Sequence, residues 1–89
     1  MTNELQNLRQ KIDSLDEELL RVLAKRTETV KEIGKLKKAA DLPPFDEKRS
    51  KEVMEARCVL GKKLGLSPEL VQSLFEQILQ YSVDMERTV

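Results

Sequence analysis

An apolar stripe too long for a small globule dominates this sequence. Leu5, Leu8, Ile12, Leu15, Leu19 and Val22 recur at alternating spacings of three and four, which lines one face of an α-helix. Thr2 or Asn3 can cap its start, and Glu4 suits the first turn. The helical pattern runs from about Asn3 to about Ala40 and stops at Pro43 and Pro44, since the residue before a proline leaves the α region. Only Gly34 interrupts it, which points to close packing there. Such a helix is ~54 Å long at ~1.5 Å per residue. A compact chain of 89 residues has a diameter of only ~31 Å. The stripe therefore lies partly bare to water, and bare stripes mark association surfaces. Two copies packed along their long helices, under two-fold symmetry, is the simplest solution.

Two shorter helices follow. Asp46 is a good N-cap for the second, whose apolar stripe reads Val53, Ala56, Leu60 and Leu64 and which fades at Gly61–Gly65. Ser67, Pro68 and Glu69 form a strong start for the third, with Val71, Leu74, Phe75, Ile78 and Leu79 as its stripe. Strand signals are nearly absent. The expected fold is all-α, three helices per chain, one long and two shorter, in an intertwined helical homodimer. Residues 1–89 read as a single domain with no internal repeat.

Composition then excludes function classes. Sixteen basic residues balance sixteen acidic ones, so charge gives no case for nucleic acid or an anionic membrane as partner. There is no histidine, and Cys58 is the single cysteine, which removes imidazole chemistry, an internal disulfide and a paired-cysteine metal site. Gly34, Gly61 and Gly65 build no phosphate-cradling loop. No stretch approaches the ~20 apolar residues of a membrane span and no apolar leader opens the chain. The expectation is a cytoplasmic protein without metal or cofactor.

The polar residues that interrupt the stripes carry the functional signal. Past Val22 the first stripe reaches Arg26, then Val30 or Ile33, then Lys37. Arg26 and Lys37 are eleven residues apart, three turns plus ~20°, so both point the same way. In the third helix Ser82 and Glu86 continue the apolar face, and in the second Arg49 precedes Val53. A cation near a helix start opposes the macrodipole at a cost of ~0.3–1 kcal/mol, and buried charges need partners. Together these residues describe a wet, mostly cationic pocket suited to a small dianion. Taken singly, Arg26 and Lys37 read as snorkelling surface side chains, Asp46 as a cap, and Ser82 as a hydroxyl bonded back into its own helix. The residues alone thus leave two readings open: an anion-binding helical dimer and a structural coiled-coil module.

The ordered set L-R-Q-K-I-D-S-L-D-E-E-L-L at 8–20, L-A-K-R at 23–26, G-K-L-K at 34–37, F-D-E-K-R at 45–49 and L-F-E-Q-I-L-Q-Y-S-V at 74–83 resembles the all-helical chorismate mutases of the AroQ class, across essentially the whole chain. The resemblance implies a homodimer with two composite sites. It also implies rearrangement of chorismate to prephenate, on the route to phenylalanine and tyrosine, by a unimolecular [3,3] shift without cofactor. Catalysis then consists of holding a reactive conformer and stabilising charge on the breaking ether. By the same resemblance Arg26 and Arg9 bind the substrate carboxylates, with Arg9 arriving from the other chain. Seventeen residues, ~25 Å of helix, separate the two. Lys37 bonds the ether oxygen and a carboxylate, Asp46 meets the ring hydroxyl through its backbone, Arg49 supports that wall, and Ser82 binds a carboxylate. Ile33 and Leu79 form apolar walls.

Two positions depart from the family pattern. Some members carry glutamine at the position of Glu86, to donate a hydrogen bond to the ether oxygen. Other members carry glutamate there, as here; an ionised glutamate cannot donate, so Glu86 would need a proton to play that part, and burial and the nearby Lys37 act on it in opposite directions. Many members carry glutamate at Ser50, where serine reaches less far; Glu47, three residues earlier on roughly the same face, is a candidate to compensate. The chain reads as a monofunctional mutase, since residue 89 closely follows the third helix, and no residues remain to build an allosteric site. Isochorismate-pyruvate lyase activity and a non-catalytic dimerisation module with a degenerate pocket are the alternatives.

Overall fold

Three helices are present in the computed structural model, which describes residues 2–89. They are α1 (Thr2–Ala39), α2 (Glu47–Lys63) and α3 (Pro68–Arg87), with no strand among the described residues. Asn3 lies inside α1 rather than capping it, and the side chain of Thr2 is outside the described residues. The two later caps form as the sequence reads. Asp46 accepts from the Arg49 N–H at 3.1 Å and Ser67 from the Leu70 N–H at 3.1 Å, each satisfying one orphan donor of a first turn.

α3 packs against both α1 and α2. Only the C-terminal half of α1 takes part; every residue from 3 to 22 is exposed. The molecule is accordingly 59 Å long with a radius of gyration of 16.6 Å, against ~12 Å for a compact chain of this size. Leu8, Ile12 and Leu19 are 61%, 56% and 62% exposed. The buried apolar core among the described residues is Val30, Val53 and Val71. So small a core cannot offset the backbone entropy of ordering a chain this long. Among the described residues no helix is long and apolar enough to cross a membrane.

The ends of α1 and α2 fall where the sequence reading puts them, through local closures that it did not specify. α1 stops before the prolines: Asp41 adopts a left-handed φ of 57°, its N–H bonds to the Lys38 carbonyl at 3.2 Å, and the Leu42 N–H bonds to the Lys37 carbonyl at 2.8 Å. This double closure ends a helix by itself, with an aspartate in a conformation it tolerates better than most residues. Gly61 lies in the last turn of α2. It is buried within the helix, and the end is made by Gly65 at φ 84°, with the Leu66 N–H bonded to the Gly61 carbonyl at 2.9 Å.

Gly34 makes the close approach expected of it. A Cβ there would lie 2.9 Å from the Glu86 Cα and 2.7 Å from the Val89 Cγ2, so the α1 and α3 backbones meet at the level of Glu86. Alanine outranks glycine by ~1 kcal/mol as a helix former, yet Gly34→Ala must push α3 away. We expect a net loss of about 1–2 kcal/mol in urea unfolding, and unchanged or increased stability would refute the contact.

Candidate active site

The C-terminal half of α1 presents its inward residues at three- and four-residue steps: Leu23, Arg26, Val30, Gly34 and Lys37 are all covered to some degree. α3 answers with Leu79, Ser82, Val83 and Glu86, and the loop before α2 brings Pro44, Phe45 and Asp46. Between them lies a cavity of about 250 Å³. Arg26, Ile33, Lys37, Asp46, Arg49, Ser50, Leu79, Ser82 and Glu86, all selected from the sequence, line it. Arg9 does not. It is exposed on the free half of α1, about 25 Å along the helix from Arg26.

Two polar groups in the cavity are tightly tied. Lys37 Nζ lies 2.7 Å from Glu86 Oε1 and donates to the Pro44 carbonyl at 2.7 Å. These side chains are 21% and 9% exposed, so this is a largely buried ion pair. Glu86 Oε1 receives the ammonium's charge without a well-directed hydrogen bond. An ammonium has three N–H donors, so with one on Pro44 and the charge facing Glu86 at least one of the Lys37 hydrogens remains to meet a ligand. Arg26 Nη1 donates to Ser82 Oγ, and Ser82 Oγ donates to the Ile78 carbonyl at 2.8 Å. The bond from Ser82 back into its own helix therefore forms, and the same hydroxyl also orients the guanidinium.

The cavity carries excess positive charge. Arg26, Lys37, Arg49 and Arg57 face Asp46 and Glu86, and one Asp46 oxygen is engaged in capping α2. Burial, then the charges of Arg57 and Arg49, push the Arg26 guanidinium below its ordinary value. Guanidinium stays protonated at any working pH, so the lowering registers burial first and unmatched positive charge second, with no titration. The arrangement suits a small polyanion. It contains no activated nucleophile among the lining residues.

Two expectations are corrected. Glu47 does not compensate for Ser50: it is exposed, lies 3.3 Å from Lys51, and is not among the cavity residues. Within the single chain only Val53 of the stripe Val53, Ala56, Leu60 and Leu64 is covered. Ala56 is exposed, Leu60 and Leu64 are 51% and 69% exposed, and the covered line is Val53, Arg57 and Gly61. Gly61 is inward because Val71 of α3 occupies the space a Cβ would need, at 2.5 Å. Arg57 was thus missed as a cavity residue. The signal was its place one turn after Val53, obscured by a more hydrophobic neighbouring line. Phe45 and Val83 were also missed as apolar walls.

Residues 8–87 match the family model described as chorismate mutase type II. The chain is 40% identical over 81 residues to a bifunctional chorismate mutase/prephenate dehydratase of Escherichia coli (strain K12), covering 91% of this chain and 21% of that protein. It is 36% identical over 78 residues to a T-protein of Haemophilus influenzae, covering 88% of this chain and 21% of the relative. A bifunctional chorismate mutase/prephenate dehydratase of Aquifex aeolicus is 34% identical over 89 residues, with 97% of this chain and 25% of the relative covered. The chain thus spans a fifth to a quarter of the length of these relatives.

Proposed function

This chain belongs to the chorismate mutase type II family, and from that premise we propose that it rearranges chorismate to prephenate in the cavity between α1, α2 and α3. The observation that carries the reading is the convergence of Arg26, Lys37, Arg49, Ser82 and Glu86, from all three helices, on one positively charged cavity. The reaction is a unimolecular [3,3] shift in which a carbon–oxygen bond breaks as a carbon–carbon bond forms. It needs no proton transfer, so the work left to the protein is positioning and charge stabilisation. Arg26, oriented by Ser82, holds one carboxylate through its planar fork. The Pro44 carbonyl holds Lys37 by one hydrogen, and another is directed to the ether oxygen as negative charge grows there. The Asp46 backbone and Arg49 bound the ring hydroxyl, and Ser50 reaches it through water. Ile33 and Leu79 close the apolar walls.

A second copy completes the site in this reading. The bare stripe of α1 pairs with its symmetry mate, and the partner's α1 carries Arg9 to the second carboxylate. The test follows the loss of the conjugated-diene absorbance of chorismate, together with the elution volume of the protein. Turnover to prephenate by a dimer is the expected result. A folded dimer that leaves chorismate unchanged overturns the reading and leaves a dimerisation module; turnover of isochorismate instead points to lyase chemistry.

Glu86→Gln tests the donor at this position. The glutamate accepts and holds Lys37 in the ion pair, whereas an amide donates to the ether oxygen, so kcat/KM should hold or rise. A clear fall in kcat/KM would assign Glu86 to positioning Lys37 instead.

A further inference from the structure

We infer that Arg57 is a substrate-binding arm of this site, closing with Arg26 on one carboxylate of the dianion. The inference deepens the proposed function and rests on it. Along α2, Arg49, Val53, Arg57 and Gly61 follow at four-residue intervals, one turn apart with a drift of ~40° per step. Val53 is 4% exposed and Gly61 is buried, so Arg57 stands between two residues that face α3. Its side chain is half-buried and its place is in the cavity wall. An arginine there lays its stem along apolar surface and carries the guanidinium to the polar end.

The charges around it leave that guanidinium without a counter-ion. Among the described residues, Lys37 is paired with Glu86 and Arg49 approaches Glu52 at 3.9 Å. Neither Arg26 nor Arg57 has a carboxylate within ion-pair distance among the described residues. The two like charges line one cavity, and Arg57 lies near enough for its charge to act on Arg26. Their repulsion raises the free energy of the empty site. A carboxylate between them removes the repulsion and accepts from both planar forks. The second carboxylate is then left to the partner's α1. Doubling the cations at one end also favours the dianion over a monoanion, which makes Arg57 a determinant of charge specificity.

The test is Arg57→Gln and Arg57→Lys, assayed for KM and kcat with chorismate at low and moderate salt, and for thermal midpoint. Arg57→Gln should raise KM about tenfold, the scale of one charge-assisted hydrogen bond, with kcat little changed and the midpoint unchanged or raised. Arg57→Lys should recover part of the loss, and KM of the glutamine variant should depend less on salt. Calorimetric titration with prephenate, the product dianion, reads the same arm without turnover and should show the same tenfold weakening. A KM and a prephenate affinity within twofold of the parent overturn the inference while leaving the function intact. A parent that does not turn over chorismate overturns the function, and the prephenate titration still decides Arg57. A fall in midpoint with unchanged prephenate affinity assigns Arg57 to packing and also overturns it.

Discussion

Lys37→Ala is expected to lower kcat/KM by about 10²–10³-fold, the cost of removing a donor aimed at charge that develops in a transition state. The substitution also strands Glu86, whose side chain is only 9% exposed and whose Oε1 has no other compensation. Removing one partner of a buried pair costs about 3 kcal/mol. Loss of activity in this variant is therefore ambiguous by itself, and a double variant resolves it. In Lys37→Ala with Glu86→Gln no charge is orphaned, so urea unfolding should recover most of the lost stability while kcat/KM stays at the level of the single variant or below. Recovery of activity along with stability would mean that Lys37 serves only to neutralise Glu86. The ligand-free ion pair would then be structural, with no part in the chemistry.

The pair is also where sequence and structure agree best. Arg26 and Lys37 lie three turns apart on α1, Ser82 and Glu86 one turn apart on α3, and periodicity alone puts each pair on an inward face. The caps at Asp46 and Ser67 were legible for the same reason: they are local chemistry, settled within three residues. What escaped was decided between helices. α2 offers two lines of comparable pitch, and hydropathy selects the one through Ala56 and Leu60. The helix instead turns Arg57 and Gly61 inward, because Val71 needs the room at Gly61 and the cavity holds the guanidinium. In the same way α1 ends in a left-handed turn at Asp41, set by the two backbone bonds that close there and not by the prolines that follow. Residues 3–22 show the opposite case: their apolar period is plain in sequence, yet in the single chain it buries nothing. A pattern that strong with no partner in its own chain is the physical basis for expecting a second copy.

That second copy yields a prediction which no single-chain site satisfies. Arg9→Ala and Arg26→Ala, each prepared alone, should each lose about 100-fold or more in kcat/KM, since each removes a charged contact to a carboxylate. Unfolded together and refolded as a mixture, they should regain about a quarter of the parental activity. Random pairing under two-fold symmetry makes about half of the dimers mixed. In a mixed dimer one site draws Arg26 from the Arg9→Ala chain and Arg9 from the Arg26→Ala chain, so it is intact. The other site lacks both arginines. One working site in half of the dimers is about a quarter of all sites. The exposed position of Arg9, about 25 Å along α1 from Arg26, forbids the same outcome within one chain. If native mass spectrometry finds mixed dimers and activity stays at the level of the single variants, Arg9 does not cross the interface, and the composite site is wrong even if the dimer is right.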